Sequence, residues 1–277
     1  MSVAALTNQS ALITGGGSGI GLACAAILAR DGATVTIAGR SKERLDKALA
    51  ELPADLARAI ACDVAEEDDV KAAVDAAFTN GGGRLDICVA AAGTGAAAPI
   101  VVTERSDWDR VLATNLTGFF LTVKHAAAAM TRGSAPAGGS IVGISSIAGP
   151  LTHRFMAAYC VSKAGLEALV RNAADELGTA GIRVNGVRPG LVPTDLAAPL
   201  VGNDDIRNDY LAQMPIRRLG TTDDIASAVR YLTGPESGWV TGQVISVDGG
   251  HTLRRGPDLE AGIRMLYGDA AAEGRVG

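Results

Sequence analysis

The chain has 277 residues, 48% of them hydrophobic and 20% charged, with 35 glycines, 4% aromatics and a formal net charge of -5. That length and apolar content suffice for one large α/β core, and an Ala- and Gly-rich composition suits helices packed tightly on a sheet better than a β-sandwich. Mild acidity without a long basic run argues against a nucleic-acid partner, which needs a positive footprint.

The N-terminal stretch MSVAALTNQSALITG has no basic segment followed by an apolar core, and no apolar run of about 18 residues occurs anywhere. A cytoplasmic protein with no membrane segment is expected. Residues 10–14 read as a first strand and 20–30 as a first helix; 34–38 and 42–52 repeat the pair. Further strand candidates stand at 58–62, 85–90, 140–145, 182–187 and 244–247, separated by helix-length segments. This βα alternation predicts a doubly wound, Rossmann-type parallel sheet in a three-layer α/β/α single domain, because parallel strands need right-handed crossovers on both faces. Cys24, Cys62, Cys88 and Cys160 lie too far apart for a zinc site or a disulfide scaffold, so buried free thiols and no metal are expected.

Between the first strand and helix lies Thr14-Gly15-Gly16-Gly17-Ser18-Gly19-Ile20-Gly21. Glycine lets backbone approach a ligand closely, and the N–H groups and dipole of the following helix attract a pyrophosphate. Gly15, Ser18, Gly19, Ile20 and Gly21 are therefore candidate cofactor contacts. The spacing is G-x-x-x-G-x-G, which differs from the G-x-G-x-x-G fingerprint. The second strand ends Ala38-Gly39-Arg40-Ser41, with no carboxylate to bind a ribose 2′-hydroxyl. Arg40 and Ser41 suit a 2′-phosphate, which favours NADP over NAD; the bland alternative is a solvated arginine. Asp63, with Val64, ends the third strand, positioned for the adenine end of the ligand or to cap the next helix.

Ala90-Ala91-Ala92-Gly93 ends the fourth strand in small residues that admit a cofactor near Ala90 and Gly93 but supply no side-chain hydrogen bonds. Asn115 sits in a helical stretch that asparagine disfavours. The fifth strand runs into Ser145-Ser146, placing a hydroxyl at the sheet edge where open α/β folds bind ligands. Tyr159 and Lys163 follow four residues apart on a helical pattern, so a cation stands beside a phenol and favours its ionised form. His153 lies between Ser146 and Tyr159 and reads as a substrate contact or, more simply, a surface loop residue.

These motifs, in this order, resemble the short-chain dehydrogenase/reductase family from about residue 7 to 251: TGGGSGIG, Ser146, Tyr159 with Lys163, and Asn115. The resemblance implies that Tyr159 gives or takes the proton and Ser146 holds the substrate oxygen. It also implies that Lys163 binds the nicotinamide ribose and lowers the Tyr159 pKa, and that Asn115 supports a water relay. Pro189 and Thr194 resemble the segment that contacts the nicotinamide end. The departure is Ala90-Ala91-Ala92-Gly93, where relatives commonly carry Asn-Asn-Ala-Gly. The partners implied are a small-molecule carbonyl or alcohol and other copies of the chain, as a homotetramer or dimer. A non-catalytic dinucleotide-binding regulator would keep the glycine loop but has no use for Ser146, Tyr159 and Lys163 together.

Residues 1–251 then form the catalytic domain, including an excursion at 191–218, and 252–277 a C-terminal extension. Leu191, Leu196, Leu200, Leu211, Met214 and Ile216 make the excursion apolar, favouring a lipid-like, cyclic or aromatic substrate unless they serve packing alone. In the extension, Leu259, Ile263 and Leu266 predict a short amphipathic helix over 258–266. It would dock across a subunit boundary, close the substrate pocket, or remain a frayed appendage.

Overall fold

The computed structural model describes residues 5–132, 138–254, 256 and 258–275. Seven strands form one parallel sheet in the order β3-β2-β1-β4-β5-β6-β7. They are β1 (Ser10–Thr14), β2 (Thr34–Gly39), β3 (Ala57–Ala61), β4 (Ile87–Ala90), β5 (Gly139–Ile144), β6 (Ile182–Pro189) and β7 (Val244–Val247). The helices in chain order are α1 (Gly19–Arg30), α2 (Lys42–Ala50), α3 (Glu67–Asn80), α4 (Arg105–Leu112), α5 (Gly118–Met130), α6 (Ala157–Leu177), α7 (Ala198–Val201), α8 (Asp204–Gln213), α9 (Thr222–Thr233) and α10 (Glu260–Ala272). A π-helical turn, Ala113–Thr117, joins α4 to α5.

Side-chain alternation along the strands divides the core in two. Leu12, Cys88, Ile141 and Val184 pack beneath α3, α5 and α6, while Ala11, Ile13, Val35, Ile37, Val89 and Val142 face α1, α2 and α9. Both faces are covered, which is why β1 and β4 are buried at every position. Helix starts follow their side chains: Thr221 and Asp224 form a reciprocal capping box on α9, and the Ser41 hydroxyl accepts from the Arg44 N–H at 3.3 Å to cap α2. Cys24, Cys62 and Cys88 are buried thiols and Cys160 is half-buried. Among the described residues no helix is long and apolar enough to cross a membrane.

Several edges differ from the sequence reading. β4 begins at Ile87 because Asp86 turns aside, its carboxylate gripped by Arg84 at 2.5–3.1 Å and by the Ser10 N–H at 2.8 Å. The excursion folds into α7 and α8. The extension forms α10, which runs past the expected end but breaks at Gly268 (φ 81°, ψ 166°). Leu259 and Ile263 are buried against Ile206, Tyr210 and Met214, whereas Leu266 is 70% exposed. The apolar surface beneath α10 ends at Ile263, and the turn at Gly268 brings Ala272 back into contact in its place. The extension is thus no frayed appendage: it docks on the excursion of its own chain.

Candidate active site

At the carboxyl ends of the strands a cleft of about 910 Å³ runs across the switch between β1 and β4, where chain order reverses. Gly15, Ser18, Gly19, Ile20, Gly21, Arg40, Ser41, Asp63, Val64, Gly93, Ser146, Tyr159, Lys163, Pro189 and Thr194 all line it. Ala90 does not. It is the last residue of β4, paired with Thr14 and buried, so the cleft wall begins at Ala91 and Ala92. Asn115 is also set behind the wall, which its neighbour Thr114 forms.

The glycine loop passes close to the rest of the site. Gly15 (φ 68°) lies so near the segment that follows β4 that a Cβ would stand 2.7 Å from the Ala92 nitrogen, and at Gly21 a Cβ would meet the Gly15 carbonyl at 2.2 Å. Ser18 precedes α1 without a side-chain cap, so the first N–H groups of that helix are open to the cleft. A pyrophosphate fits this donor set. Thr194 reaches over it, its methyl 3.1 Å from where a Cβ of Gly19 would be.

At the end formed by β2, Arg40 is exposed, with Nη1 3.9 Å from Asp63 Oδ2. Asp63 does not cap α3; Oδ1 accepts from the Ala65 N–H at 3.0 Å, and Glu66 holds the cap position. A second guanidinium, unforeseen from sequence, stands beside Arg40. Arg44 Nη1 meets Asp195 Oδ2 at 3.0 Å, a pair that crosses the cleft mouth from α2 to the excursion.

At the other end Ser146 and Tyr159 stand together in the cleft. Burial holds the Tyr159 phenol above its ordinary range, and the nearby Ser146 hydroxyl pulls it partly back. The expected cation beside the phenol is arranged differently. Lys163 Nζ donates to the Ile144 carbonyl at 2.8 Å and lies 5.6 Å from the Tyr159 ring centre. Sheet-edge carbonyls compete for the ammonium, and burial lowers its pKa to about 8.

Asn115 is fully buried in the π-helical turn, with Oδ1 accepting from the Thr94 N–H at 2.8 Å. Its Nδ2 donates to the Thr94 carbonyl at 2.9 Å and the Ser162 hydroxyl at 3.0 Å. The strand end at 90–93 is therefore steadied two residues on, through Asn115. A Cβ at Gly93 would stand 3.6 Å from Asn115 Oδ1 and 3.7 Å from Lys163 Nζ, so both groups converge on that point of the cleft.

Leu191, Leu196 and Leu200 line the substrate side, joined by Ile147, Met156 and Tyr210. Met214 and Ile216 lie at a separate, smaller crevice, with Ile216 exposed, so only half of the excursion's expected apolar set faces the main cleft. His153 is not a surface residue: it is 5% exposed and lines the cleft. Phe155 beside it has φ 72°, a left-handed backbone rare for an aromatic, held by its carbonyl accepting from the Ala98 N–H at 2.8 Å and by Arg154 over its ring.

A family profile described as enoyl-(acyl carrier protein) reductase matches residues 15–252. The 2-(S)-hydroxypropyl-CoM dehydrogenase 3 of Xanthobacter autotrophicus is 37% identical over 258 residues, covering 89% of this chain and 98% of the relative. The cis-4-hydroxycyclohexanecarboxylate dehydrogenase of Sinomonas cyclohexanicum is 38% identical, covering 90% and 98%. A 3-oxoacyl-[acyl-carrier-protein] reductase of Staphylococcus aureus is 35% identical, covering 87% and 97%. A solved short-chain type dehydrogenase/reductase from Mycobacterium ulcerans superposes with a TM-score of 0.93 at 41% identity, covering 98% of this chain and all of the other.

Proposed function

Because the chain belongs to the short-chain dehydrogenase/reductase family and is thus an oxidoreductase of the hydride-transferring kind, we propose that it acts on an apolar ketone or secondary alcohol, with NADP as its cofactor and Tyr159 as the proton carrier. The observation that carries this reading is that Ser146, Tyr159 and Lys163 line the same cleft as the open N-terminus of α1.

A bound nicotinamide would supply or accept the hydride. The α1 N–H groups, with Gly15, Ser18, Gly19, Ile20 and Gly21, hold the pyrophosphate. Arg40 and Ser41 take the 2′-phosphate; Ser41 accepts from Arg44 as a cap, yet its hydroxyl proton is still able to donate. Asp63 and Val64 border the adenine, while Gly93, Pro189 and Thr194 border the nicotinamide. Ser146 fixes the substrate oxygen by hydrogen bonding, and Tyr159 delivers a proton to that oxygen in reduction or removes one in oxidation. Lys163 binds ribose hydroxyls and is the cation within reach of the phenol. Asn115 braces Thr94 against α6 at the inner end of the proton path, beside Lys163.

Ile147, Met156, Leu191, Leu196 and Leu200 support an apolar substrate. The active species on this reading is a homo-oligomer. A panel of ketones, aldehydes and secondary alcohols assayed with NADPH or NADP tests the proposal; tight cofactor binding with turnover of none would instead favour a dinucleotide-binding regulator.

A further inference from the structure

The substrate end of the cleft carries two polar atoms that the proton-transfer machinery does not use. His153 Nδ1 lies 3.3 Å from the Leu151 carbonyl. A carbonyl only accepts, so Nδ1 carries the proton and Nε2 presents a lone pair. Burial, aided by nearby His251, lowers the His153 pKa to about 4, and the ring is neutral across the physiological range. Nε2 has no hydrogen-bond partner among the described residues, yet it is not sealed from open space, and the ring lines the cleft.

Tyr210, reaching in from α8, has the same character. It is 3% exposed and packs edge-on against His251 with ring centres 5.3 Å apart. Its hydroxyl also has no partner among the described residues, is not sealed away, and is close enough to Tyr159 for the two phenolate charges to oppose each other. An unpartnered acceptor and an unpartnered hydroxyl that both open into the cleft are placed to be completed by a ligand that displaces the water there. His251 packs against the Tyr210 ring and is near enough to His153 to lower its pKa, and His153 and Tyr210 line the same substrate end of the cleft.

We propose that His153 and Tyr210 form a second polar subsite that reads a neutral hydroxyl on the substrate: the substrate O–H donates to His153 Nε2 and its oxygen accepts from Tyr210. The preferred substrates are then hydroxylated ketones, or diols in the reverse direction, with an apolar frame against Ile147, Met156 and Leu191. A carboxylate at that position is disfavoured, because a lone pair would face it. Arg40 and Arg44 stand at the far end of the cleft, Lys163 is turned to Ile144, and Arg154 is held outside the cleft by Glu260 and the Ala272 carbonyl.

This rests on the functional reading above, and the test separates the two. The full-length protein with NADPH is assayed on cyclohexanone, its 2-, 3- and 4-hydroxy derivatives and 4-oxocyclohexanecarboxylate, and on linear and aromatic ketones with their hydroxylated counterparts. The expected result is a kcat/KM about tenfold or more higher for a hydroxylated member than for its parent, with the acid below both. His153→Phe and Tyr210→Phe bring that ratio close to one, His153→Gln, which retains an acceptor, keeps part of it, and NADPH affinity stays at its original value in all three. Tyr210→Phe carries the test should His153→Phe not fold. Parent ketones turned over with no hydroxyl preference, or a preference that survives both Phe variants, overturn the subsite alone. Turnover of no carbonyl despite NADPH binding overturns the functional reading and the subsite with it.

Discussion

Arg188 at the end of β6 clasps Glu167 on α6 through two hydrogen bonds of 2.6 and 2.7 Å, and the Ser145 hydroxyl donates to the same buried carboxylate at 2.8 Å. One carboxylate thereby ties β5, β6 and α6 together directly beside Ser146 and one turn beyond Lys163. Gly149 is packed so closely on it that a Cβ would meet Glu167 Oε1 at 2.3 Å. Breaking one partner of a buried pair strands the other charge, at a cost of about 3–5 kcal/mol. Glu167→Ala is expected to lose about that much stability in urea unfolding, and the double variant Glu167→Ala/Arg188→Met less than the sum of the single changes. A single-variant loss below about 1 kcal/mol would remove the pair from the fold's essential supports.

The neutral state of His153 has a measurable consequence for stability. The unfolded chain takes up a proton as pH falls through 6.5, while the folded chain does not until about 4. Between those values the unfolded state binds more protons, so stability falls as pH falls. From pH 7 to 5 the loss attributable to this group is about 2 kcal/mol. His153→Gln should flatten that part of the profile in urea midpoints taken at both pH values; an unchanged slope would mean that the imidazole is not held neutral.

Arg40 is the proposed discriminator of the 2′-phosphate. Arg40→Asp is expected to weaken NADP binding by about tenfold or more, the worth of a charge-assisted contact, and to leave NAD binding unchanged or improved. Fluorescence titration of both cofactors into both proteins measures this. Equal NADP affinity before and after would assign the phosphate to Arg44, which would have to leave Asp195 to reach it.

The C-terminal extension clasps the substrate side at four places. Arg254 donates to the Ala212 carbonyl at 2.6 Å, Asp209 accepts from the Asp258 N–H at 2.9 Å, Tyr267 donates to the Ala97 carbonyl at 3.1 Å, and Arg154 pairs with Glu260. Leu259 and Ile263 fill the apolar cluster beneath. Ile263→Ala should cost about 2–5 kcal/mol in the stability of that cluster. Truncation before Asp258 should raise KM for the carbonyl more than it alters NADPH affinity. KM and melting temperature both at full-length values would show that the clasp supports neither packing nor the site.

The sheet and the cleft were legible because both are local in sequence. Short apolar runs mark all seven strands, and the glycine loop, Ser146 and Pro189 at strand ends fall at the same edge once the strands are parallel. What stayed hidden depends on tertiary neighbours. Glu167 and Arg188 look like surface charges until α6 lies on β6, and Arg44 meets Asp195 only across the cleft. His153 reads as a loop residue because nothing near it in sequence announces that it is buried. Lys163 stands over the Tyr159 ring as the helical spacing predicts, yet its ammonium donates to the Ile144 carbonyl, an acceptor that no side-chain pattern displays. Ala90 missed the cleft by one residue, the distance between pairing with Thr14 and leaving the sheet.

The proposed role of Tyr159 is to carry the proton while contributing little to cofactor binding. Tyr159→Phe keeps the ring and removes only the hydroxyl, which stands near Ser146 in the cleft. With a carbonyl that the unaltered protein reduces, a kcat lower by about 10²–10⁴-fold is expected with the NADPH dissociation constant unchanged, both measured at the same pH. A variant that retains kcat within a few-fold would contradict it.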